Sequence, residues 1–265
     1  MRVARLILCV SISFFLSTSL AAQQTATSST QALLFLQRSA AALSGGQTLT
    51  DVTLSGPARR IAGSDDESGT AILKGLSSGA GRSDLSLSSG PRSEVENLTE
   101  AMPAGSWSGP DGVAHAMAFH NLLTEPAWFF PAFAIARRLS TSSFVATYVG
   151  RETHEGQTVE HVSVSQTSPF STPPGGVSFE HLSQVDFFLD SNTFLPSAIS
   201  FNIHPDNNVG VNIPVEIVYS NYQSSSGLLV PMHIQRYMQG SLLLDINVTN
   251  VSINTGLAST EFAVQ

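Results

Sequence analysis

The stretch that decides the fold runs from residue 185 to residue 253 and opens with VDFFLD (185–190), AISFNI (198–203) and VEIVY (215–219). Apolar residues stand at every second position in each of these runs, which is the spacing of a β-strand that has one buried and one polar face. Turn-forming residues such as Asn, Pro and Gly separate the runs. Runs at this even spacing are typical of an antiparallel meander, either open or closed.

The alternation changes phase once near the C-terminus. In LLLDINV (242–248) the apolar side chains fall on even-numbered positions, whereas Val251 and Ile253 fall on odd-numbered ones. Apolar residues that change from even to odd positions can stay on one face of the sheet only if the strand accommodates one extra residue. We therefore expect a β-bulge near Thr249–Asn250.

The first half of the chain alternates in the same way. Thr70–Leu76 and Arg82–Leu87 flank a turn rich in Gly and Ser, Ser77–Gly81, and are predicted to form a hairpin. A proline-rich loop, SPFSTPPGG (168–176), interrupts the second half. No linker divides the strands into two groups, so we expect residues 23–265 to form one domain.

Two helical segments interrupt the strands. The first, Ser28–Leu43, carries its apolar residues on one face and is stopped by Gly45–Gly46. The second is predicted to begin near Pro131 and to run to Leu139, after the aromatic stretch AWFFPAF (127–133). So many aromatic residues belong either to an ordinary core or to a helical segment that plugs the concave side of a curved sheet and contacts an apolar ligand.

The first 22 residues have the parts of an export signal. A positively charged start precedes the apolar run Leu6–Leu16, and small residues end at Ala21–Ala22. The apolar run is too short to span a bilayer, which needs about 20 such residues. We predict that residues 1–22 are a signal peptide, and that the mature protein is soluble and periplasmic or otherwise exported.

Composition excludes several functions. Lys and Arg number 12 against 20 Asp and Glu, a formal charge of −8, so the clustered cations that bind nucleic acid are missing and we expect no nucleic-acid partner. The one cysteine, Cys9, lies inside the predicted signal peptide. A disulfide framework, a cysteine-ligated zinc site and a thiol catalyst are therefore excluded from the mature protein. The 7 histidines lack helical metal-ligand spacing, and we assign no metal and no cofactor.

One motif suggests catalysis. GLSSG (75–79) fits the G-x-S-x-G pattern of hydrolase nucleophile elbows, in which Ser77 would be the nucleophile. An elbow of this kind turns from a strand into a helix, but the residues after Gly79 alternate like a strand. We therefore favour a hairpin turn and assign no catalytic residue, so the protein is expected not to be an enzyme, with a serine hydrolase as a distant third hypothesis.

The second half also resembles a known family. Leu189-Asp190, then Thr193–Pro196, then Gly227–Pro231 form a series that is similar to the LolA-like superfamily, which comprises periplasmic lipoprotein carriers and many uncharacterised exported proteins. The match is clearest over residues 185–262. The resemblance implies a mainly β (α+β) fold, in which a strongly curved antiparallel sheet forms an unclosed half-barrel and helices cover its concave face. Members of known role bind acyl chains or other hydrophobic ligands there and are not enzymes.

Two functions follow as expectations. The leading one is a non-enzymatic exported protein, a carrier or a sensor, that binds a lipid or another hydrophobic small molecule in the concave cleft. The alternative is a protein-interaction module whose cleft is permanently filled and whose partner is an envelope protein. The residues expected to line the cleft are Trp128, Phe129, Phe130, Phe133, Phe187, Phe201 and Ile217.

Overall fold

The computed structural model describes residues 28–98, 103–167 and 177–265. The predicted signal peptide at residues 1–22 and the predicted loop at 168–176 lie outside these ranges. Over the described residues the fold is mainly β, and one antiparallel sheet of 14 strands contains every strand. No helix within these ranges is long and apolar enough to cross a bilayer.

The elements follow one another along the chain with short connections. The strands of the first half are β1 (Asp51–Ala62), β2 (Asp65–Leu76), β3 (Ala80–Leu87), β4 (Gly90–Asn97), β5 (Ala104–Ser108) and β6 (Ala114–Ala116). The strands of the second half are β7 (Phe144–His154), β8 (Gln157–Gln166), β9 (Val185–Asp190), β10 (Pro196–Ile203), β11 (Ile213–Ser225), β12 (Leu228–Met238), β13 (Ser241–Asn247) and β14 (Asn250–Ile253). The helices are α1 (Thr30–Ser44), α2 (Pro131–Ser140) and α3 (Phe179–Leu182), with 3-10 turns at Phe119–Leu123 and Ser259–Phe262.

The order of the strands makes the sheet an open half-barrel. It runs β6-β5-β4-β3-β2-β1-β13-β12-β11-β10-β9-β8-β7, and β14 pairs with β1 beyond the end of β13. The first and last strands in sequence thus meet in the middle of the sheet, and β6 and β7 form its two edges. Within the described ranges β6 and β7 do not pair with each other, which confirms the unclosed barrel.

This order forces one segment across the sheet. The two edge strands β6 and β7 are consecutive in the chain, so residues 117–143 must pass from one edge to the other. We call residues 117–143 the crossover segment. It contains a 3-10 turn, the aromatic stretch and α2, and it lies over the concave face, where the sheet buries its apolar residues. The structure thus confirms helical cover on the concave face.

The first helix is the other cover. α1 packs against α2 and against β7, β8 and β12. It begins at Thr30 rather than Ser28, because Ser29 is the N-cap and its hydroxyl accepts the Ala32 N–H at 3.2 Å. The Ser28 hydroxyl instead accepts the N–H of Ala146 in β7. Gly45 ends the helix in the left-handed conformation, as predicted.

The register of β1 confirms the predicted bulge. Ser55 pairs with Asn250 in β14, whereas Ala58 pairs with Ile246 in β13. The partner strand therefore uses one residue more than β1 between these two pairs. That extra residue moves the apolar positions from even to odd numbers while keeping them on one face of the sheet.

Candidate functional site

The crossover segment lies directly on strand backbone at three glycines. A Cβ atom on Gly81 would stand 1.9 Å from the carbonyl oxygen of Pro126, and one on Gly105 would stand 2.6 Å from Leu122. A Cβ atom on Gly75 would be 3.2 Å from the Cβ of Ala127. Gly75 pairs with Gly81 across β2 and β3, so these glycines lie side by side. We call Gly75, Gly81 and Gly105 the glycine shelf, and it lets the crossover segment approach the sheet without a gap.

The structure buries all seven residues that the sequence predicts for the cleft. Phe129, Phe187 and Ile217 have no exposed surface, and the largest exposed fraction among the seven is the 6% of Phe201. All belong to one hydrophobic core that joins the crossover segment, α1 and both halves of the sheet. The space beneath the aromatic stretch is therefore filled by protein side chains.

A buried ion pair fixes the fold of the crossover segment. Nη1 of Arg138, in α2, donates to Glu125 Oε2 at 2.5 Å, and both side chains are almost completely buried. The same nitrogen donates to the carbonyl oxygen of Ala134, and Arg137 lies 3.4 Å from the same carboxylate. From the sequence, Arg137 and Arg138 are expected only to interact favourably with the dipole of the helix. In the structure, both form an ion pair with Glu125.

The charges of this pair balance the cost of burial. Burial by itself would raise the pKa of Glu125, but Arg137 and Arg138 outweigh burial and hold that pKa below its usual value. Burial lowers the pKa of Arg138 to about 10, against the opposing effect of Glu125. Both groups stay charged at neutral pH, so the removal of either one would leave the other as a buried charge without its main partner.

Hydrogen bonds tie the crossover segment to the second half of the sheet. The hydroxyl of Tyr219, in β11, donates to the carbonyl oxygen of Trp128. Asn121 exchanges two hydrogen bonds with the backbone of His204, both of 2.8 Å. The segment is therefore attached near its beginning and at its aromatic centre.

An open cavity remains beside the crossover segment, on the concave side. Its volume is about 230 Å³, and we call it the concave groove. Both tryptophans of the chain line it, Trp107 from β5 and Trp128 from the crossover segment. Its charged residues are Arg60, Arg92, Glu94 and Arg236, and its aliphatic residues are Leu85, Leu243 and Leu244.

A second cavity of about 160 Å³ adjoins the groove. The two share Glu94, Trp107, Trp128 and Arg236 as lining residues. The second cavity is also lined by Met117, Phe201, Ile203, Glu96 and Glu125. Of the seven predicted residues, Trp128 and Phe201 thus border open space, while the other five line neither cavity.

One acid in the second cavity is uncharged at neutral pH. Burial, reinforced by the nearby charge of Glu94, raises the pKa of Glu96 to about 8. Its Oε2 is buried and has no hydrogen-bond partner within the described residues. A protonated carboxyl group at this position makes the second cavity less polar than its sequence indicates.

Sequence reasoning missed Trp107 and the three arginines of the groove. In β4, the charged residues at 92, 94 and 96 alternate with Ser93 and Val95. The structure buries Val95 on the convex side, in a small cluster with Phe262 from the C-terminal turn. The alternating charged residues consequently face the concave side. The strict alternation in β4 was the feature of the sequence that could have shown that these residues share one face.

The geometry around Ser77 is that of a turn between two strands. Ser77 lies between β2 and β3, and its N–H donates to the carbonyl oxygen of Thr50. A nucleophile elbow needs a helix after the serine, and here β3 follows at Ala80. The structure thus confirms the hairpin. As for metals, no group of three or more potential ligands is arranged to hold an ion in the part of the chain that the structure describes.

Comparison with solved structures identifies the architecture. An outer membrane lipoprotein-sorting protein domain from Vibrio parahaemolyticus superposes with a TM-score of 0.55 at 12% identity, over 88% of this chain and 96% of that one. A LolA superfamily protein, NE2245 from Nitrosomonas europaea, superposes with a TM-score of 0.53 at 10% identity, over 88% and 97%. The fold is LolA-like.

A third structure supports the same assignment. A DUF1329 family protein from Desulfovibrio piger shares the LolA-like fold with a TM-score of 0.51 at 11% identity, over 89% of this chain and 98% of that one. No protein-family model and no curated protein matches the sequence. The similarity to LolA-like proteins is therefore found in the structure and not by comparison of sequences.

Proposed function

We propose that this protein is an exported, non-enzymatic binding protein that holds a lipid or another hydrophobic molecule on the concave face of its half-barrel. The ligand occupies the concave groove and the adjoining cavity, beside the crossover segment. Trp128 and Phe201 contact it there. Of the five other predicted residues, Phe129, Phe130 and Phe133 anchor the crossover segment in the core, where Phe187 and Ile217 of the sheet also lie.

The observation that carries this proposal is the open groove itself. It adjoins a second cavity, and together the two approach the size of about 300–1,000 Å³ that small-molecule sites have. Burial of an apolar chain contributes about 0.8 kcal/mol for each methylene, before the cost of association is subtracted. The aromatic surfaces of Trp107 and Trp128 provide the apolar contact for such a chain.

Ligand binding can be measured directly. Native mass spectrometry of gently purified protein should find co-purified lipid, and a fluorescent fatty acid should bind and quench tryptophan fluorescence. Trp107→Leu should weaken the binding and keep the protein folded, because Trp107 is about half exposed and is not part of the main core. A clean protein mass together with no binding of the fluorescent fatty acid would overturn the proposal.

The exported location is part of the proposal and has its own test. Residues 1–22 support it through their charge and hydropathy pattern. Fractionation of cells that express the full chain should release a shortened protein from the envelope fraction. A full-length protein that stays in the cytoplasm would contradict the export signal.

One observation favours the alternative, an interaction module with a filled cleft. Trp107, Val113 and Phe119 each expose about half of their surface and lie around the edge strand β6. An exposed edge strand beside apolar side chains can pair with a strand of another protein. A photoreactive residue at position 113 that crosslinks to one envelope protein, in a protein that binds no lipid, would favour this alternative.

A further inference from the structure

Three arginines from three distant strands meet at the concave groove. Arg60 comes from β1, Arg92 from β4 and Arg236 from β12. The whole chain has only 12 Lys and Arg and a net charge of −8. A quarter of its cations therefore line one cavity, and among the residues that the structure describes Glu94 is the only acidic one that lines it with them.

The guanidinium groups of these arginines form only long contacts with nearby carboxylates. Arg236 reaches Glu94 only at 3.4 Å, and Arg92 reaches Glu67 only at 3.5 Å. The Nε atoms of Arg92 and Arg236 are buried and have no hydrogen-bond partner within the described residues. Charge-assisted hydrogen bonds of arginine normally measure about 2.7–2.9 Å, and the Arg138–Glu125 pair is shorter still at 2.5 Å.

Arg60 is the least constrained of the three. Over the described ranges it forms no hydrogen bond or ion pair, whereas its neighbour Arg59 pairs with Asp66 at 2.6 Å. The two adjacent residues point to opposite sides of β1. The three arginines thus offer planar donor groups to an anion, and among the described residues Glu67 and Glu94 are the carboxylates within 4 Å of them.

Apolar surface begins next to the cations. The guanidinium of Arg236 lies 5.2 Å from the centre of the Trp128 ring, and Trp107, Leu85 and Leu244 line the same groove. From there the second cavity continues to Phe201 and Ile203. A ligand that fits both regions has a charged head and an apolar tail.

We propose that the concave groove selects an anionic amphiphile, a single-chain lipid with a carboxylate or phosphate head. Arg60, Arg92 and Arg236 bind the head, and the chain runs along Trp107 and Trp128 into the second cavity. This inference rests on the proposed function and names the class of ligand. Of the acidic residues that line the second cavity, Glu96 is uncharged at neutral pH, Glu125 is paired with Arg138, Glu94 is paired with Arg236 and Asp206 is exposed to solvent, so an apolar tail meets mainly Trp128, Phe201 and Ile203 there.

The test compares four probes that share one chain length, and it reads tryptophan fluorescence. The probes are hexadecanoate, hexadecyl phosphate, hexadecanol and hexadecyltrimethylammonium, and inorganic phosphate alone serves as a fifth. The two anionic probes should bind at least about tenfold more tightly than the alcohol, a difference of about 1.4 kcal/mol. Inorganic phosphate alone should bind weakly, because it cannot use the apolar part of the groove.

Variants of β1 provide a matched pair. Arg60→Gln should remove most of the preference for the anionic probes, and Arg60→Glu should shift preference towards hexadecyltrimethylammonium. Arg59→Gln, one residue away and on the other face, should bind all probes like the wild type. Circular dichroism and the melting temperature of each variant show that the fold is intact.

Each outcome has one interpretation. Equal binding of hexadecanoate and hexadecanol, unchanged in Arg60→Gln, would overturn the anionic head and leave the proposed function standing. No binding of any long-chain probe would overturn both proposals. Inorganic phosphate that binds as tightly as hexadecyl phosphate would mean a site for free anions and would also overturn the amphiphile.

Discussion

The carbonyl oxygen of Pro126 occupies the place that a side chain on Gly81 would need, 1.9 Å from the position of its Cβ atom. Gly81 is the second residue of β3, and a glycine within a strand weakens it, so its presence needs a reason. The reason is the close approach of the crossover segment. This contact joins the topology of the sheet, which sends the segment across the concave face, to a local requirement for glycine.

Gly81→Ala should loosen the crossover segment. The added methyl group collides with backbone, which cannot rotate away, so we expect a loss of about 1–3 kcal/mol in the free energy of unfolding. Urea unfolding measures the loss, and the fluorescence of Trp128 reports the displacement. Gly109→Ala is the control, since its Cβ atom would meet only Asp111 at 3.5 Å. Equal stability of the two variants would refute the close contact.

A disulfide should lock the crossover segment to the sheet. The Cβ atoms of residues 75 and 127 would lie 3.2 Å apart, slightly below the range of about 3.5–4.5 Å in disulfides, so Gly75→Cys with Ala127→Cys should oxidise after a small separation of the two backbones. Because the groove is already open, the oxidised protein should bind ligand like the reduced protein. Each single cysteine variant is the control. Binding that is lost on oxidation and restored by reduction would mean that the segment must move and that the five predicted residues now buried in the core contact the ligand.

Arg138→Met should be strongly destabilising, because it leaves Glu125 buried with only the more distant Arg137. Removal of one partner of a buried pair costs about 3–5 kcal/mol. Thermal and denaturant unfolding measure this cost, and the double variant with Glu125→Gln should recover a large part of it. Arg59→Met, at an exposed pair with Asp66, is the matched control and should change stability little. A stable single Arg138→Met variant would disprove the structural role of the pair.

Glu96→Gln should change how stability depends on pH. The pKa of Glu96 is about 8 in the folded protein and near 4.5 in the unfolded chain, so between these values the folded state holds a proton that the unfolded state has released. Unfolding of the wild type therefore becomes easier as pH rises through this window, by up to about 1.4 kcal/mol per pH unit from this group.

Glutamine cannot ionise, so Glu96→Gln lacks this contribution. The stability of the variant relative to the wild type should grow from pH 4.5 to pH 8 and then stay constant. A pH-independent change in stability caused by the glutamine side chain would shift the whole profile and would not alter how the stability difference depends on pH. Denaturant unfolding of both proteins in the same series of buffers measures the difference, and parallel pH profiles would contradict the raised pKa.

Local chemistry made much of the fold predictable. Alternation of apolar residues predicts the strands of the second half, because side chains of a strand point to opposite faces in turn. Pro131 sets the start of α2, since proline fits the first turn of a helix and breaks a later one. The shift of apolar residues from even to odd positions locates the bulge between β13 and β14.

The candidate site was less predictable. The sequence selects the aromatic stretch as the cover of the concave face, and the structure places it there. It makes no prediction of which face of β4 points inward, and in the structure Phe262 covers Val95 on the convex side while Arg92 and Glu94 face inward. Alternation in β4 indicates that Arg92 and Glu94 share a face, but residues 95 and 262 are far apart in the chain, so the choice of face depends on the tertiary structure.

The sequence by itself determined which residues form strands and helices, because those preferences depend on neighbours a few positions away. Only the tertiary structure decided that β1 lies beside β13, that β6 and β7 become the edges, and that residues 117–143 therefore cross the concave face. It also decided that Arg60, Arg92 and Arg236 meet at one groove. These relations depend on the pairing of strands that are distant in the chain, and such pairing is fixed by the packing of the whole sheet around one core.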